Sequence, residues 1–261
     1  MKDYLISVVI GDTAGGPYEF RGSRSKDETK INLRLGKKFT DDSVCTFAVA
    51  SYLLGNGKTL EQTLRECCKL EPKAGYGGMF RKWLWNDEMG PYGSYGNGSA
   101  MRVSSVSILA NSEDEVLNMA EETCAPTHDH PSAILGAQVT ALLGYRLLHG
   151  DGKECAEELL HKYYPEWTKT YKELQKVYSF RPSAQETVPA AIIAFLESNS
   201  FEDCLLKNIA LGGDADTLCA IAAPWAYAYY KELPQDLYLK ALQRLPRWME
   251  KINMKMNERF Q

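Results

Sequence analysis

Two short acidic clusters contain the side chains best suited to chemistry. Each cluster places a threonine beside two aspartates, immediately before an apolar stretch. Like charges this close repel each other, so each arrangement calls for a cation. Carboxylate and hydroxyl oxygens suit Mg²⁺ or Mn²⁺. The candidate metal ligands are Thr40, Asp41 and Asp42 in the stretch FTDDSV, and Asp214, Asp216 and Thr217 in LGGDADTLCA.

Helix capping is the alternative interpretation of both clusters. A threonine accepts hydrogen bonds from the free N–H groups at a helix start, and acids in the first turn favour the positive end of the helix dipole. Either cluster alone fits that role. Two clusters of the same form favour a metal centre instead. If they converge in space, they predict a two-metal site with ions about 3.5–4 Å apart.

A further acid lies in the stretch IGDTAGGPYEF, where Asp12 and Glu19 flank a glycine-rich turn. A solvated loop explains this stretch as well as a functional role does. In the functional interpretation, Glu19 is a mobile acid beside the metals that serves as a ligand or transfers a proton.

The stretch YGSYGNGSAMR has the composition of a phosphate-binding loop. Its glycines let backbone N–H groups approach an anion, and Ser94, Asn97 and Ser99 add polar side chains. It lacks the Gly-Lys-Ser/Thr of a Walker sequence, and a plain connection is an equal alternative. In APTHDHPSA, His128 and His130 precede a predicted helix, either as polar flanking residues or, for His128, as a ligand contact.

Helix signals dominate the rest of the chain, and we predict an all-α fold. SVCTFAVASYLL, SAILGAQVTALLGYRLLHG and TVPAAIIAFLES have helical apolar spacing, with Pro189 in the first turn of the third. Thr59 and Gln62 have the spacing of a capping box. Residues 72–98 are too glycine-rich for regular structure. Residues 1–261 are expected to form one domain.

The composition limits the class of protein and indicates its cellular compartment. Apolar residues make up 44% of the chain, enough for a sizeable core, and the net charge of -4 argues against a general nucleic-acid coat protein. The seven cysteines include no C-x-x-C pair, so we expect buried free thiols in a reducing compartment. Because we find neither a signal peptide nor a long apolar run, we expect a cytoplasmic protein with no membrane contact. We expect a monomer, because no heptad seam or extended exposed apolar stretch stands out.

Six motifs, taken in order, resemble the motif series of the ADP-ribosylglycohydrolases, the enzymes similar to dinitrogenase-reductase-activating glycohydrolase. They are GDTAGGPYE, TDDS, GYGG, GSYGNGSAMR, THDHP and GGDADT, and they span about residues 8 to 223. The resemblance implies a compact orthogonal multi-helix bundle with two Mg²⁺ or Mn²⁺ ions at the base of a cleft. It implies the same six oxygen ligands that the residue types favour. Ala215 stands where many relatives have threonine, and we expect its side chain to point away from the metals.

The resemblance also implies roles for other residues. Glu19 corresponds to the catalytic or metal-gating glutamate, and Asp41 is a second catalytic candidate. His128 corresponds to a residue that contacts the substrate near the ribose, and Gly77 to a glycine that lines the pocket. The loop that holds the diphosphate and distal ribose corresponds to Ser94, Tyr95, Gly96, Asn97 and Gly98.

The implied reaction is hydrolysis of the bond between C1″ of the distal ribose and an acceptor, through an oxocarbenium-like transition state. The implied substrates are ADP-ribosylated proteins, ADP-ribose polymers or ADP-ribosylated nucleic acids. The glycine-rich loop is more similar to the branch that acts on serine-linked and other O-linked ADP-ribose. A non-catalytic ADP-ribose-binding or immunity protein of this fold is the alternative function, and a metal-dependent phosphohydrolase that attacks the diphosphate is another.

The basic segment 21–38 lies between Glu19 and the first acidic cluster. It is either a solvated loop or a cationic lid over the cleft. In the second interpretation, Arg21, Arg24 and Lys26 face the substrate diphosphate or a nucleic-acid acceptor.

Overall fold

The computed structural model describes residues 2–19 and 26–259. Within these two ranges the regular structure is helical, with short 3₁₀ turns at Gly16–Tyr18 and Glu28–Lys30 and no β-strand. The prediction of an all-α fold is confirmed. The α-helices are α1 (Tyr4–Gly15), α2 (Asp41–Leu53), α3 (Leu60–Leu70), α4 (Gly78–Leu84), α5 (Gly98–Met101), α6 (Val106–Leu109), α7 (Glu113–Cys124), α8 (Pro131–Leu148), α9 (Glu154–Tyr163), α10 (Tyr171–Val177), α11 (Ala184–Glu197), α12 (Phe201–Leu211), α13 (Ala215–Tyr230), α14 (Gln235–Leu242) and α15 (Arg247–Glu258).

Helix α1 is buried along its whole length and lies against α13. The contact depends on Gly11 and Gly15, which are four residues apart and therefore share one face of the helix. A Cβ atom at Gly11 would overlap the carbonyl oxygen of Cys219, and one at Gly15 would overlap that of Ala215. The two backbones therefore touch. The glycine-rich turn predicted between Asp12 and Glu19 is limited to the 3₁₀ turn Gly16–Tyr18, because α1 continues through Gly15.

The predicted helices are present, and one of them, α11, begins earlier in the sequence than expected. Helix α2 begins directly after Thr40, whose side chain accepts a hydrogen bond from the backbone N–H of Asp42. Thr59 and Gln62 form the predicted capping box at the start of α3. Helix α11 begins at Ala184, so Pro189 lies inside this helix rather than in its first turn.

The glycine-rich stretch 72–98 is only partly irregular. Helix α4 forms within it, since Phe80, Trp83 and Leu84 place an apolar face on the core. An isolated antiparallel bridge then joins Gly96 to Ser183. Two backbone hydrogen bonds support this bridge, from Asn97 N to the Pro182 carbonyl (2.8 Å) and from Ala184 N to the Tyr95 carbonyl (3.0 Å). The bridge ties the glycine-rich loop to the start of α11.

All seven cysteines are free thiols, as predicted, and all but Cys67 are buried. They contribute to an apolar core that includes the inner faces of α1, α8, α11 and α13. No helix in the described ranges has the length and hydropathy needed to cross a membrane.

Replacing Gly11 with alanine should lower the free energy of unfolding. Alanine favours a helix over glycine by about 1 kcal/mol, but the added methyl overlaps the Cys219 carbonyl, and overpacking costs about 1–3 kcal/mol or more. Urea unfolding followed by circular dichroism measures the difference. Gly16→Ala is the matched control, because a Cβ there meets nothing within 4 Å. Equal stability of the two variants would contradict the close helix contact.

Candidate active site

A cleft with a volume of about 360 Å³ contains most of the residues that the sequence singled out. Its base is acidic, and one wall is the glycine-rich loop before α5. Twelve predicted site residues line it: Glu19, Asp41, Asp42, Gly77, Ser94, Gly96, Asn97, Gly98, His128, Asp214, Asp216 and Thr217.

Three carboxylates converge at the base of the cleft. One oxygen from each of Glu19, Asp214 and Asp216 lies within 4.8 Å of the others. Glu19 follows the 3₁₀ turn that ends α1, whereas the aspartates stand at the start of α13. The contact between these two helices therefore brings the three acids together.

The loop before α13 turns through Gly213, which has a φ of +81°. A side chain at this position would be strained by that angle, and its Cβ would lie 2.8 Å from the Ser179 carbonyl oxygen. Asp214 occupies the N-cap position, but its side chain caps no N–H group of the helix. Instead Asp214 Oδ2 accepts a hydrogen bond from Asn97 Nδ2 at 2.7 Å. Capping therefore does not account for this aspartate.

A second acidic group lies at the start of α2, where Thr40 has two roles. Its hydroxyl oxygen caps the helix and also lies 3.0 Å from Asp42 Oδ2. Asp42 Oδ1 is buried and has no hydrogen-bond partner among the described residues. Thr40 supports the cleft from behind and does not line it, whereas Asp41 and Asp42 do.

Asp12 holds this group in place and was not among the predicted site residues. It is fully buried in α1, and its carboxylate accepts hydrogen bonds from the backbone N–H and hydroxyl groups of both Thr40 and Ser43. Four donors on one carboxylate fix the start of α2 relative to α1. The sequence showed Asp12 beside a glycine-rich stretch, and only the packing of α1 shows what it binds.

The crowding of acids raises their pKa values. The pKa of Glu19 rises to about 7, first because of burial and then because of the Asp214 charge. That of Asp41 also rises to about 7, through burial and the nearby Asp12. Burial raises the pKa of Asp42 and Asp216 as well, and neighbouring aspartates add to the effect. Without a counter-charge, these carboxyls tend to hold their protons.

The oxygen donors of the cleft fit hard divalent cations. Asp42 presents a buried oxygen with no partner, and the three carboxylates at the base converge within 4.8 Å. Thr217 adds a buried hydroxyl beside them. No cysteine or histidine belongs to this group of converging ligand atoms, so the donor set matches Mg²⁺ or Mn²⁺ better than Zn²⁺.

The glycine-rich loop forms one wall of the cleft, and among residues 94–98 only Tyr95 does not line it. Ser94, Gly96, Asn97 and Gly98 line it, but the ring of Tyr95 is 60% exposed. That ring packs edge-on against His130, with centroids 6.0 Å apart, on the outer face of the loop. The structure therefore does not bring the Tyr95 side chain to the cleft, although its backbone helps to hold the loop.

Several residues of the wall were missed by sequence reasoning. Phe80, Tyr92 and Met101 have the types expected of core residues, and nothing local distinguishes them as part of a cleft. Arg102 ends the motif GSYGNGSAMR, but only the fold shows that it is fully buried and lines the cleft. Phe180, Pro182 and Met79 also line the cleft.

Lys26 does not face the cleft as the lid interpretation expected. Its ammonium group donates to the carbonyl oxygens of Tyr178 (2.9 Å) and Leu211 (2.5 Å), at the ends of α10 and α12. It thereby anchors the chain beside the loop that leads to Asp214. Arg21 and Arg24 lie outside the described residues.

A family model described as ADP-ribosylglycohydrolase matches residues 1–261. The chain belongs to the ADP-ribosylglycohydrolase family. The predicted resemblance is confirmed, and with it the enzyme class of a glycohydrolase.

Relatives in this family support the assignment at low sequence identity. The chain is 26% identical to ADP-ribosylhydrolase ARH3 of Bos taurus, over 89% of this chain and 86% of the relative. It is 25% identical to the ADP-ribosyl-[dinitrogen reductase] glycohydrolase of Rhodospirillum rubrum, over 94% of this chain and 79% of the relative. A solved ADP-ribosylglycohydrolase-related protein complex shares the fold, with a TM-score of 0.71, 23% identity and coverage of 98% of this chain and 95% of that chain.

Replacing Asp12 with asparagine should weaken divalent-metal binding about 10–100-fold, the range typical of residues that orient metal ligands. The amide cannot accept all four hydrogen bonds from Thr40 and Ser43, so the start of α2 loses its fixed position. Isothermal titration with Mn²⁺ measures the change. Exposed Asp236 provides the control Asp236→Asn. Unchanged affinity in Asp12→Asn would show that Asp12 does not position the site.

The stability of the metal-free protein should fall as the pH rises. Glu19 and Asp41 have folded pKa values of about 7, above the usual value of about 4 for the unfolded chain. Their stabilising contribution is therefore present at low pH and lost as the pH rises through about 7. Melting temperatures in chelator should be higher near pH 5 than near pH 8, and Mg²⁺ should raise them most near pH 8.

Asp41→Asn is the control for this pH dependence, because it removes one of the titrating groups. It should have a smaller difference in melting temperature between the two pH values. A chelated wild-type protein that is most stable near pH 8 would contradict the raised pKa values.

Proposed function

We propose that this protein hydrolyses the C1″ glycosidic bond of ADP-ribosylated substrates and releases ADP-ribose, with two divalent ions, Mg²⁺ or Mn²⁺, as cofactors. One observation carries the proposal: Glu19, Asp214 and Asp216 converge within 4.8 Å at the base of a cleft that Asp41 and Asp42 also line. Family membership supports the reaction class.

The ions would be held by oxygen ligands from two helix starts. Bound there, they would offset the crowded negative charge and orient ribose hydroxyls and a water molecule. Asp12 and Asn97 would keep the ligands in place, through the hydrogen bonds to Thr40 and Asp214. The proposed ligands that line the cleft are Asp41, Asp42, Asp214, Asp216 and Thr217. Thr40 is the sixth, because its hydroxyl oxygen lies 3.0 Å from Asp42 Oδ2 at the rim of this group.

The glycine-rich loop would bind the substrate far from the bond that breaks. Ser94, Gly96 and Gly98 face the cleft, where the hydroxyl of Ser94 and the backbone N–H of Gly98, at the start of α5, can meet the diphosphate. The bridge to Ser183 holds this loop fixed. Binding energy gained on the diphosphate can then orient the distal ribose over the acids.

Glu19 would transfer the proton in the reaction. It is half-buried beside the other acids of the cleft, where a carboxyl can give or accept a proton. The carboxyl would either protonate the leaving atom or remove a proton from the attacking water. Asp41, which faces the same cleft, is the second acid proposed to be essential.

We propose O-linked ADP-ribose, including serine-linked ADP-ribose, as the substrate class. The loop sequence GSYGNGSAMR supports this choice. The acceptor would be a protein, an ADP-ribose polymer or a nucleic acid, and the enzyme would act as a cytoplasmic monomer. The intact acidic set distinguishes this proposal from a non-catalytic ADP-ribose-binding or immunity protein of the same fold.

Release of free ADP-ribose, measured by mass-resolved chromatography, tests the proposal. The panel contains serine-linked, arginine-linked, polymeric, O-acetyl and DNA-linked ADP-ribose, each with Mg²⁺ and with a chelator. We expect metal-dependent release from the O-linked substrates. AMP as product would indicate a phosphohydrolase, and binding of ADP-ribose without any release would indicate a binding protein.

Replacing Glu19 with glutamine should lower kcat at least about 100-fold, since general acid–base catalysis contributes about 10²–10⁴-fold. The shape of the side chain is kept, so ADP-ribose binding should change little. Single-turnover release with the best substrate of the panel measures the effect. Glu88→Gln, at an exposed position outside the cleft, should behave like the wild type. Turnover by Glu19→Gln at the wild-type rate would refute the assigned role.

A further inference from the structure

Arg102 is the most unusual residue of the cleft wall. It is fully buried, and among the described residues it forms no ion pair. Its Nη2 donates to the Thr123 carbonyl (2.6 Å) and to Thr127 Oγ1 (3.0 Å). Its Nε and Nη1 have no partner within the described ranges. Burying an unpaired guanidinium is costly, and the contact with Thr127 is its one hydrogen bond to a described side chain.

The contact continues from Thr127 to a histidine. Thr127 Oγ1 lies 2.8 Å from His128 Nδ1, and Thr127 is itself fully buried. Arginine can only donate hydrogen bonds, so Thr127 Oγ1 must accept from Arg102. The hydroxyl hydrogen of Thr127 then needs an acceptor. In the described part of the chain, His128 Nδ1 is the acceptor within reach.

This order of donors determines the protonation of the imidazole. A hydrogen on Nδ1 would point at Thr127 Oγ1 and leave the buried hydroxyl hydrogen without an acceptor, which costs about 1–3 kcal/mol. Nδ1 is therefore unprotonated, and a neutral ring carries its hydrogen on Nε2. Burial and the Arg102 charge also lower the pKa of His128, which keeps the ring neutral.

The opposite nitrogen faces the ligand-binding loop. Nε2 lies so near Gly98 that a Cβ there would stand 2.8 Å from it, and a Cβ at Gly96 would stand 3.6 Å away. Nε2 makes no hydrogen bond to any described residue, and His128 lines the cleft. The Nε2–H group is thus available to a ligand lying on the loop.

We infer that Arg102 and Thr127 are positioning residues that hold His128 as a neutral Nε2–H donor, and that this donor binds an acceptor oxygen of the ligand on the Gly96–Gly98 loop. The protonation state is independent of the reaction, whereas the ligand oxygen, a phosphate or ribose oxygen of ADP-ribose, rests on the proposed function. Neither Arg102 nor Thr127 needs to touch the substrate. Gly98 allows the ring to approach the loop, because any side chain there would meet the imidazole.

Nitrogen-15 NMR of histidine-labelled protein tests the protonation state directly. The chain has four histidines, and His128→Asn identifies the signal. At neutral pH, we expect a pyridine-type Nδ1 and a pyrrole-type Nε2 in the wild type and in Thr127→Ser, which keeps the hydroxyl. Thr127→Val should give a mixture of the two neutral forms. A protonated Nδ1 in the wild type, or a valine variant with an unchanged spectrum, would overturn the inference.

Ligand affinity provides the second measurement. ADP-ribose binding by isothermal titration should weaken about tenfold in Thr127→Val, the loss expected of one well-directed hydrogen bond, and stay near the wild type in Thr127→Ser. This result is separable from the proposed reaction, because it requires no turnover. A correct wild-type spectrum with equal ADP-ribose affinity in all three proteins would refute the ligand contact but not the protonation state.

Discussion

The backbone contact between α1 and α13 is the constraint on which the rest of the structure depends. Gly11 and Gly15 let the two helices touch, and the ends of these helices then carry acids from distant parts of the sequence into one cleft. Glu19 arrives from the end of α1, and Asp214 and Asp216 stand at the start of α13. Asp12 extends the arrangement to α2 through its hydrogen bonds to Thr40 and Ser43. The site is thus a product of helix packing more than of any single loop.

The same packing brings buried carboxyl groups so close together that they repel one another when ionised. Crowded, buried carboxyls resist ionisation, as the raised pKa values of Glu19, Asp41 and Asp42 show. Divalent ions would relieve this repulsion, so the free energy that folding uses to hold the acids together would be recovered as affinity for metal. On the opposite wall the balance is reversed, since buried Arg102 supplies positive charge where an anionic ligand would lie. The cleft is therefore polarised, with acids at its base and a cation in its wall.

The sequence predicted the parts of the site whose chemistry is visible in residue type. Two Thr-Asp clusters and a glycine-rich loop are local patterns, and the structure brings them to one cleft, with Thr40 behind its wall and Tyr95 turned outward. The features that the sequence could not predict depend on contacts with residues far along the chain. The role of Gly11 in helix packing depends on Cys219, its neighbour across the contact with α13. Arg102 resembled any surface arginine, because burial is a property of the fold and not of the motif.

The separation of these contacting segments has a consequence for biosynthesis. Helix α1 is made before the surface that covers it, because Cys219 follows Gly11 by roughly 200 residues. Until then the buried face of α1 lacks its native partner, and the closing contact is a non-local one of the kind that slows folding. The acidic cleft can therefore form only when most of the chain has been synthesised. A nascent or truncated chain that ends before α13 would have neither a covered α1 nor a complete set of site acids, so it would be inactive and prone to capture by chaperones.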